Sequence, residues 1–257
     1  MGWRMLKNRV IPVLLLSNGR LVKGCQFKDY RDTGDPRSAA RIYNAQYADE
    51  LVFIDIQACL ENRRTLLDIV RDVALESFMP LTVGGGITHI DDVRALLLAG
   101  ADKVIITTAA VQQPELIQQV AKTFGTQCVV TGIDYRGSGK DAKVWIKCGT
   151  EATNLHPVDH ARKLVDLGAG EIFLNSIDRD GMMSGYDLEM TSFIAEVASV
   201  PVIVCGGAGN FMHLAEVFQK TKAAASACAS LFHFGDNNPI RARSHIRNLG
   251  IPMRVIK

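Results

Sequence analysis

Short runs of Val, Ile and Leu recur along this chain, each followed by a stretch whose apolar residues return at helical spacing. Strands are predicted over 10–16, 51–57, 81–84, 103–107, 128–134, 171–177, 202–205 and 224–229. Amphipathic helices are predicted between them, over 35–47, 64–76, 90–99, 113–124, 159–167, 188–198 and 212–221. Pro36 and Pro114 fall in first turns, where a missing N–H costs nothing. Apolar strands alternating with helices imply parallel βα units. In 257 residues, eight such units fit one (βα)8 barrel better than two separate domains.

The pattern also repeats itself. Thr82-Val83-Gly84-Gly85-Gly86 and Cys205-Gly206-Gly207-Ala208-Gly209 each follow an apolar run, with Gly84 and Gly206 standing 122 positions apart. The next strand of each half ends in small residues, Ile106-Thr107-Thr108-Ala109 and Ala227-Cys228-Ala229-Ser230. Asp49-Glu50-Leu51-Val52-Phe53-Ile54 matches Gly170-Glu171-Ile172-Phe173-Leu174-Asn175, and Val13-Leu14-Leu15 falls on Gly132-Ile133-Asp134. Such a period fixes architecture. The expectation is an α/β protein, a single (βα)8 TIM barrel with a two-fold half-barrel repeat, halves about 1–125 and 126–257. A lone glycine turn is more often only a tight connection. Two in register make paired backbone N–H nests, Gly86 with Thr108 and Gly207 with Ser230, suited to a ligand phosphorylated at both ends.

Composition narrows the classes. Net charge is +2 with no long run of Lys or Arg, which disfavours nucleic acid. No run of about 18 apolar residues exists to span a membrane. Arg4, Lys7 and Arg9 before an apolar stretch imitate a signal peptide, but the stretch is short and contains Pro12. It leads into Ser17-Asn18-Gly19-Arg20, a hairpin turn without a cleavage site, so it reads as the first strand. The six cysteines form no C-x-x-C pair and no zinc-like spacing with His. They read as reduced thiols of a cytoplasmic protein without a metal.

Long loops over 17–34 and 135–157, after strands one and five, place one catalytic mouth at that end of the barrel. Gly137-Ser138-Gly139-Lys140 is either a mobile lid or a hairpin tip. Asp134, at a strand end beside a long loop, reads as functional rather than as a cap. Lys23 is balanced between solvated loop and ligand contact. Asp55 shares a strand face with Phe53 and Gln57, and reads as mouth-facing or as a buried hydrogen-bonding group. Asp180-Gly181 reads as a phosphate loop, and His233 as a packed core histidine. Arg241, Arg243, His245 and Arg247 alternate along the tail and read as solvated helix surface.

Several motifs together resemble the HisF family, the cyclase subunits of imidazole glycerol phosphate synthase, over nearly the whole chain. They are Asn18-Gly19-Arg20-Leu21-Val22-Lys23-Gly24, Arg31-Asp32-Thr33-Gly34-Asp35-Pro36, the Thr82 turn, Gly100-Ala101-Asp102-Lys103-Val104, Ser176-Ile177-Asp178-Arg179-Asp180-Gly181 and Phe232-His233-Phe234. The resemblance implies a lyase without a cofactor, which takes ammonia through the barrel from a HisH-like glutaminase in a heterodimer. Its substrate is a bisphosphorylated ribulosyl formimino-carboxamide ribotide. The resemblance carries substrate contacts to Lys23, Asp55, Gly86, Thr107, Thr108 and Asn175, and to Asp180, Gly181, Gly207, Ala229 and Ser230. It carries the ammonia gate to Arg9, Glu50, Lys103 and Glu171, and the partner interface to Asp102 and Gln127.

The chain departs from the family at its chemical end. Catalytic acids are implied on strands one and five, one to protonate the departing fragment and one to accept protons. Asp134 supplies the second, whereas the first position is Leu15. Thr107 replaces an Asn and Asn175 a Thr. Two functions compete: the cyclase itself, and a docking subunit passing ammonia to another acceptor through a third amidotransferase protein. HisF/HisH-like pairs also accompany sugar amidotransferases of surface-polysaccharide (lipopolysaccharide) biosynthesis. A related HisA-type isomerase is disfavoured, since it also needs both acids and lacks the gate charges.

Overall fold

In the computed structural model, which describes residues 7–254, strand β1 (Arg9–Ser17) is buried on both faces. Ile11 and Val13 face a core of interior residues, with Leu15 packed against them, while Val10, Leu14 and Leu16 join a second core under the helices. The strands β2 (Leu51–Asp55), β3 (Leu81–Gly84), β4 (Lys103–Ile106), β5 (Val129–Arg136), β6 (Glu171–Ser176), β7 (Val202–Cys205) and β8 (Ala225–Cys228) follow. All eight pair in parallel with their neighbours, and Arg9↔Ala225 closes β8 onto β1. The result is a closed (βα)8 barrel. Val52, Ile105, Val130, Phe173 and Ile203 fill its interior. Burying each such side chain contributes about 1.5–3 kcal/mol, which makes the lumen a packed core rather than a pore. Arg4, part of the leader-like stretch, lies outside the described residues.

The backbone repeats as the glycines do. Thr107 (φ −113°, ψ −73°) and Ala229 (φ −114°, ψ −68°) open the short helices Thr108–Gln112 and Ser230–His233 in equivalent places. The loops after β1 and β5 both fold into antiparallel extensions. Asn18 and Gly19 take positive φ, the geometry of a two-residue hairpin turn. They return the chain as Arg20–Cys25 against β1, followed by Lys28–Gly34. After β5, Lys143–Ile146 pairs back on Asp134–Arg136, so the glycine-rich stretch is a hairpin tip. The two extensions meet over the mouth, where Arg136 Nη2 donates to Gln26 O at 3.3 Å.

One expectation needs correction. Helix Pro239–Asn248 is not uniformly solvated along its arginines, because Arg243 is buried. Its Nη1 donates to Tyr47 O at 2.6 Å and its Nη2 to Arg254 O at 2.7 Å, with Nε 3.7 Å from Asp49 Oδ2. Arg241 and Arg247 do face solvent. Among the described residues no helix is long and apolar enough to cross a membrane, and all six cysteines are free.

Candidate functional site

A cavity of about 530 Å³ opens at the C-terminal ends of the strands. Leu15, Ile54, Ile105, Phe173 and Cys205 make its apolar wall, and Thr107, Asp134 and Asn175 its polar patch. Asp134 and Asn175 are register partners on β5 and β6, and Asn175 Nδ2 donates to Asp134 Oδ1 at 3.2 Å. Burial pushes the Asp134 carboxyl up to about 7. The Asn175 hydrogen bond opposes that rise, and the charge of Asp180 adds to it.

Three other carboxylates reach this cavity, and each is already engaged. Asp55 is held by Arg63 at 2.6 Å and accepts from the amides of Gln57 and Ala58. Its contacts therefore match the buried hydrogen-bonding alternative, tying down the loop after β2. Asp92 pairs with Arg64 at 2.6 Å and caps helix Ile90–Leu98 through the amides of Thr88 and His89. Asp180 accepts from Lys23 Nζ through both oxygens at 2.8 Å. Among the described residues, Asp134 is the cavity carboxylate without a cation partner. Nothing acidic stands at Leu15, which pairs with Ile54 on one side and Val22 on the other.

The two glycine turns differ in their relation to the cavity. Gly86, Thr107, Thr108 and Ala229 line it, whereas Gly181, Gly207 and Ser230 do not. Gly86 has φ +63°, and a Cβ there would run into Arg63 O, so a side chain is excluded. Among the described residues, the amides of Gly86 and Gly207 donate to no protein acceptor. The Thr108 hydroxyl accepts from the Lys147 amide at 3.0 Å, which seats the second extension beside the first nest. Gly207 lies beneath the loop after β6, its carbonyl accepting from Gly185 N at 2.8 Å. Gly181 sits against Gly24 and Cys25 of the first extension. His233 packs as expected, its Nε2 3.2 Å from Val13 O.

At the opposite end, four charges from four strand starts meet. Arg9 Nη1 donates to Glu50 Oε1 at 2.6 Å and to Glu171 Oε1 at 2.9 Å. Lys103 Nζ donates to Glu50 Oε2 at 3.2 Å and to Glu171 Oε2 at 3.0 Å. Each anion bridges both cations, so the ring is closed and neutral. Although burial works against the charge, the two glutamates hold the Arg9 guanidinium above its ordinary pKa. Between this ring and the mouth lies the barrel interior, apolar apart from buried Thr82, the register partner of Val52 and Lys103. Asp102 is exposed beside it and accepts from Leu81 N at 2.8 Å, while exposed Gln127 donates to Phe124 O at 3.2 Å. Leu75, Phe78 and Leu98, at or just past helix C-termini on this face, are strongly exposed.

Sequence reasoning missed Arg63, whose side chain closes over Asp55, and Phe27, Tyr30 and Lys147, which the two extensions bring to the cavity. Tertiary contacts place them there, Arg63 through Asp55 and Lys147 through Thr108, and no local motif announces it. The family described as "Histidine biosynthesis protein" matches residues 9–238. The chain belongs to that family. The matched span begins at Arg9 of the floor ring and includes Leu15, Asp134 and both glycine turns, so the histidine biosynthesis family covers both ends of this barrel. Family and fold leave the reaction itself to the residues of the site.

Proposed function

We propose that this protein is a HisF-like synthase subunit of the imidazole glycerol phosphate synthase type, which accepts ammonia from a HisH-like glutaminase docked on the barrel floor. The observation that carries the reading is the closed ring of Arg9, Glu50, Lys103 and Glu171. Buried ion pairs are a poor route to stability, because desolvation offsets most of their attraction. A two-plus-two ring across the end of a barrel suits a gate that can open by exchanging partners. Exposed Leu75, Phe78 and Leu98 beside Asp102 supply an apolar face of the kind that marks protein contacts. At the mouth, the two glycine turns would hold the phosphates of the ligand, and Asp134 would serve as the proton-transfer group.

A second reading is favoured by Leu15. With one of two acids absent, ring closure by this chain is impaired. The barrel then serves as an ammonia channel and docking subunit for a different acceptor, such as a sugar handled by a third amidotransferase protein. Both readings require the glutaminase. The test is co-expression with the HisH-like glutaminase of the same genome, followed by size-exclusion chromatography with light scattering. The expected result is a one-to-one complex with raised glutamine hydrolysis, weakened by Leu98→Glu. Absence of any complex, with both proteins folded, overturns both readings.

A further inference from the structure

Asp49 and Arg243 form a buried pair beside the floor ring without belonging to it. The Asp49 side chain is fully buried, and its Oδ2 accepts from Val10 N at 2.9 Å. The β1–β2 ladder is registered Val13↔Val52 through Leu16↔Asp55. Carried downwards in the same register, it would set Val10 opposite Asp49. The Asp49 carboxylate therefore continues the ladder where backbone pairing has stopped. Its two covalent neighbourhoods are the ring: Arg9 precedes Val10, and Glu50 follows Asp49.

Arg243 arrives from the C-terminal helix to complete this junction. It binds the carbonyls of Tyr47 and Arg254 and lies 3.7 Å from Asp49 Oδ2. Arg254 returns a contact, Nη1 to Asp49 O at 3.2 Å, and its amide donates to Asn8 O at 3.2 Å. Asn8, in turn, donates to Pro252 O at 3.3 Å. Asn8, before Arg9, and Asp49, before Glu50, are thus both tied to the 252–254 segment, and Asp49 in turn holds Val10, after Arg9. Arg9 and Glu50 meet at 2.6 Å, a separation that tolerates little sliding of β1 against β2.

We infer that Arg243 is a positioning residue for the floor ring, acting through Asp49 and the 252–254 segment to hold Arg9 against Glu50. The inference rests on the gate reading above, but its test does not require a glutaminase.

The experiment observes the Arg9 side-chain Nε–Hε signal by ¹⁵N NMR in the full chain. Arg243→Met is expected to move that signal and speed its hydrogen exchange by about tenfold or more, the usual scale for losing a buried charged hydrogen bond. Arg243→Lys should recover part of the effect. Arg41→Met, which breaks an exposed pair with Glu76, controls for general loss of stability. Should Arg243→Met fail to fold, Asp49→Asn takes its place. It keeps an acceptor for Val10 N and should move the Arg9 signal in the same direction. A fall in melting temperature with the Arg9 signal unmoved in Arg243→Met, or in Asp49→Asn where that variant stands in, would leave Arg243 a structural residue and overturn the inference. Loss of glutaminase docking, by contrast, would undo the gate reading and leave these signals unchanged.

Discussion

Lys23 Nζ lies 2.8 Å from each carboxylate oxygen of Asp180 and also donates to Gly24 O at 2.7 Å. The pair joins the extension after β1 to the loop after β6, across 157 residues of sequence. The Lys23 side chain is 2% exposed, so its charge is satisfied by protein rather than by water. A ligand phosphate that recruits Lys23 has to share it with Asp180. Lys23→Met should therefore cost about 3–5 kcal/mol, because it leaves Asp180 buried and uncompensated. Lys23→Met with Asp180→Leu should cost less than the sum of the single changes. Urea denaturation of the four proteins measures the coupling, and additive losses would show the two groups independent.

Most of the barrel is legible in the sequence because barrel strands are buried on both faces and read as unbroken apolar runs. That same property hides which face is which. Asp55 shares its face with Phe53, and Phe53 packs under the helices rather than into the lumen. Alternation alone gives two sets of residues and leaves their sides undetermined. The extensions are legible only at their turns, Asn18-Gly19 and, as one of two alternatives, Gly137–Lys140, since Lys28–Gly34 is largely exposed and carries no buried pattern. Alternation in twos along the tail does not define one face of a helix. At about 100° per residue, Arg241 and Arg243 point to opposite sides, and Arg243 falls with buried Ala242 and Ile246. The floor ring joins positions up to 162 residues apart, so only the resemblance could have assembled it.

Asp134 should titrate near neutrality. Its carboxyl is raised from 3.8 to about 7, so the folded protein keeps a proton that the unfolded chain has released. This group therefore lowers stability progressively as pH rises from about 4 to about 7, with no further change above. Asp134→Asn should remove that slope and be relatively most stabilising at pH 8. Carbon-detected NMR of the carboxyl gives the pKa directly. A value near 4 would mean that the mouth solvates Asp134 fully.

His160 should produce the opposite slope. It is buried on helix Pro157–Asp166, and neither ring nitrogen has a partner among the described residues. Burial, with Lys163 adding, pushes its pKa down to about 4 from 6.5. The folded protein resists a proton that the unfolded chain accepts. Its contribution is whole above pH 6.5 and is lost as pH falls towards 4, at most about 3 kcal/mol. The Asp134 and His160 windows overlap and partly cancel in the unmodified protein. His160→Leu should flatten the acid limb of the stability curve, and an unchanged limb would show that the imidazole is reached by water.

Ring closure should be severely impaired in this protein. The lyase chemistry implied by the family resemblance needs two positioned proton-transfer groups, and removal of one commonly costs about 10²–10⁴-fold in rate. Among the described residues, the mouth has one carboxylate without a cation partner, Asp134, and its wall includes apolar Leu15. Leu15→Asp would place an acid at the end of β1 and, as a like charge, should raise Asp134 further. Asn175 would still bind Asp134 Oδ1, and Thr107 would still replace the family's Asn, so the recovery should be partial. The assay uses the unmodified chain and the variant with the bisphosphorylated ribotide and excess ammonium at alkaline pH, where free ammonia makes the glutaminase unnecessary. Formation of imidazole glycerol phosphate near background, rising in Leu15→Asp, is the expected outcome. Fast turnover by the unmodified chain would show that Asp134 alone suffices, and the case for a different ammonia acceptor would fall with it.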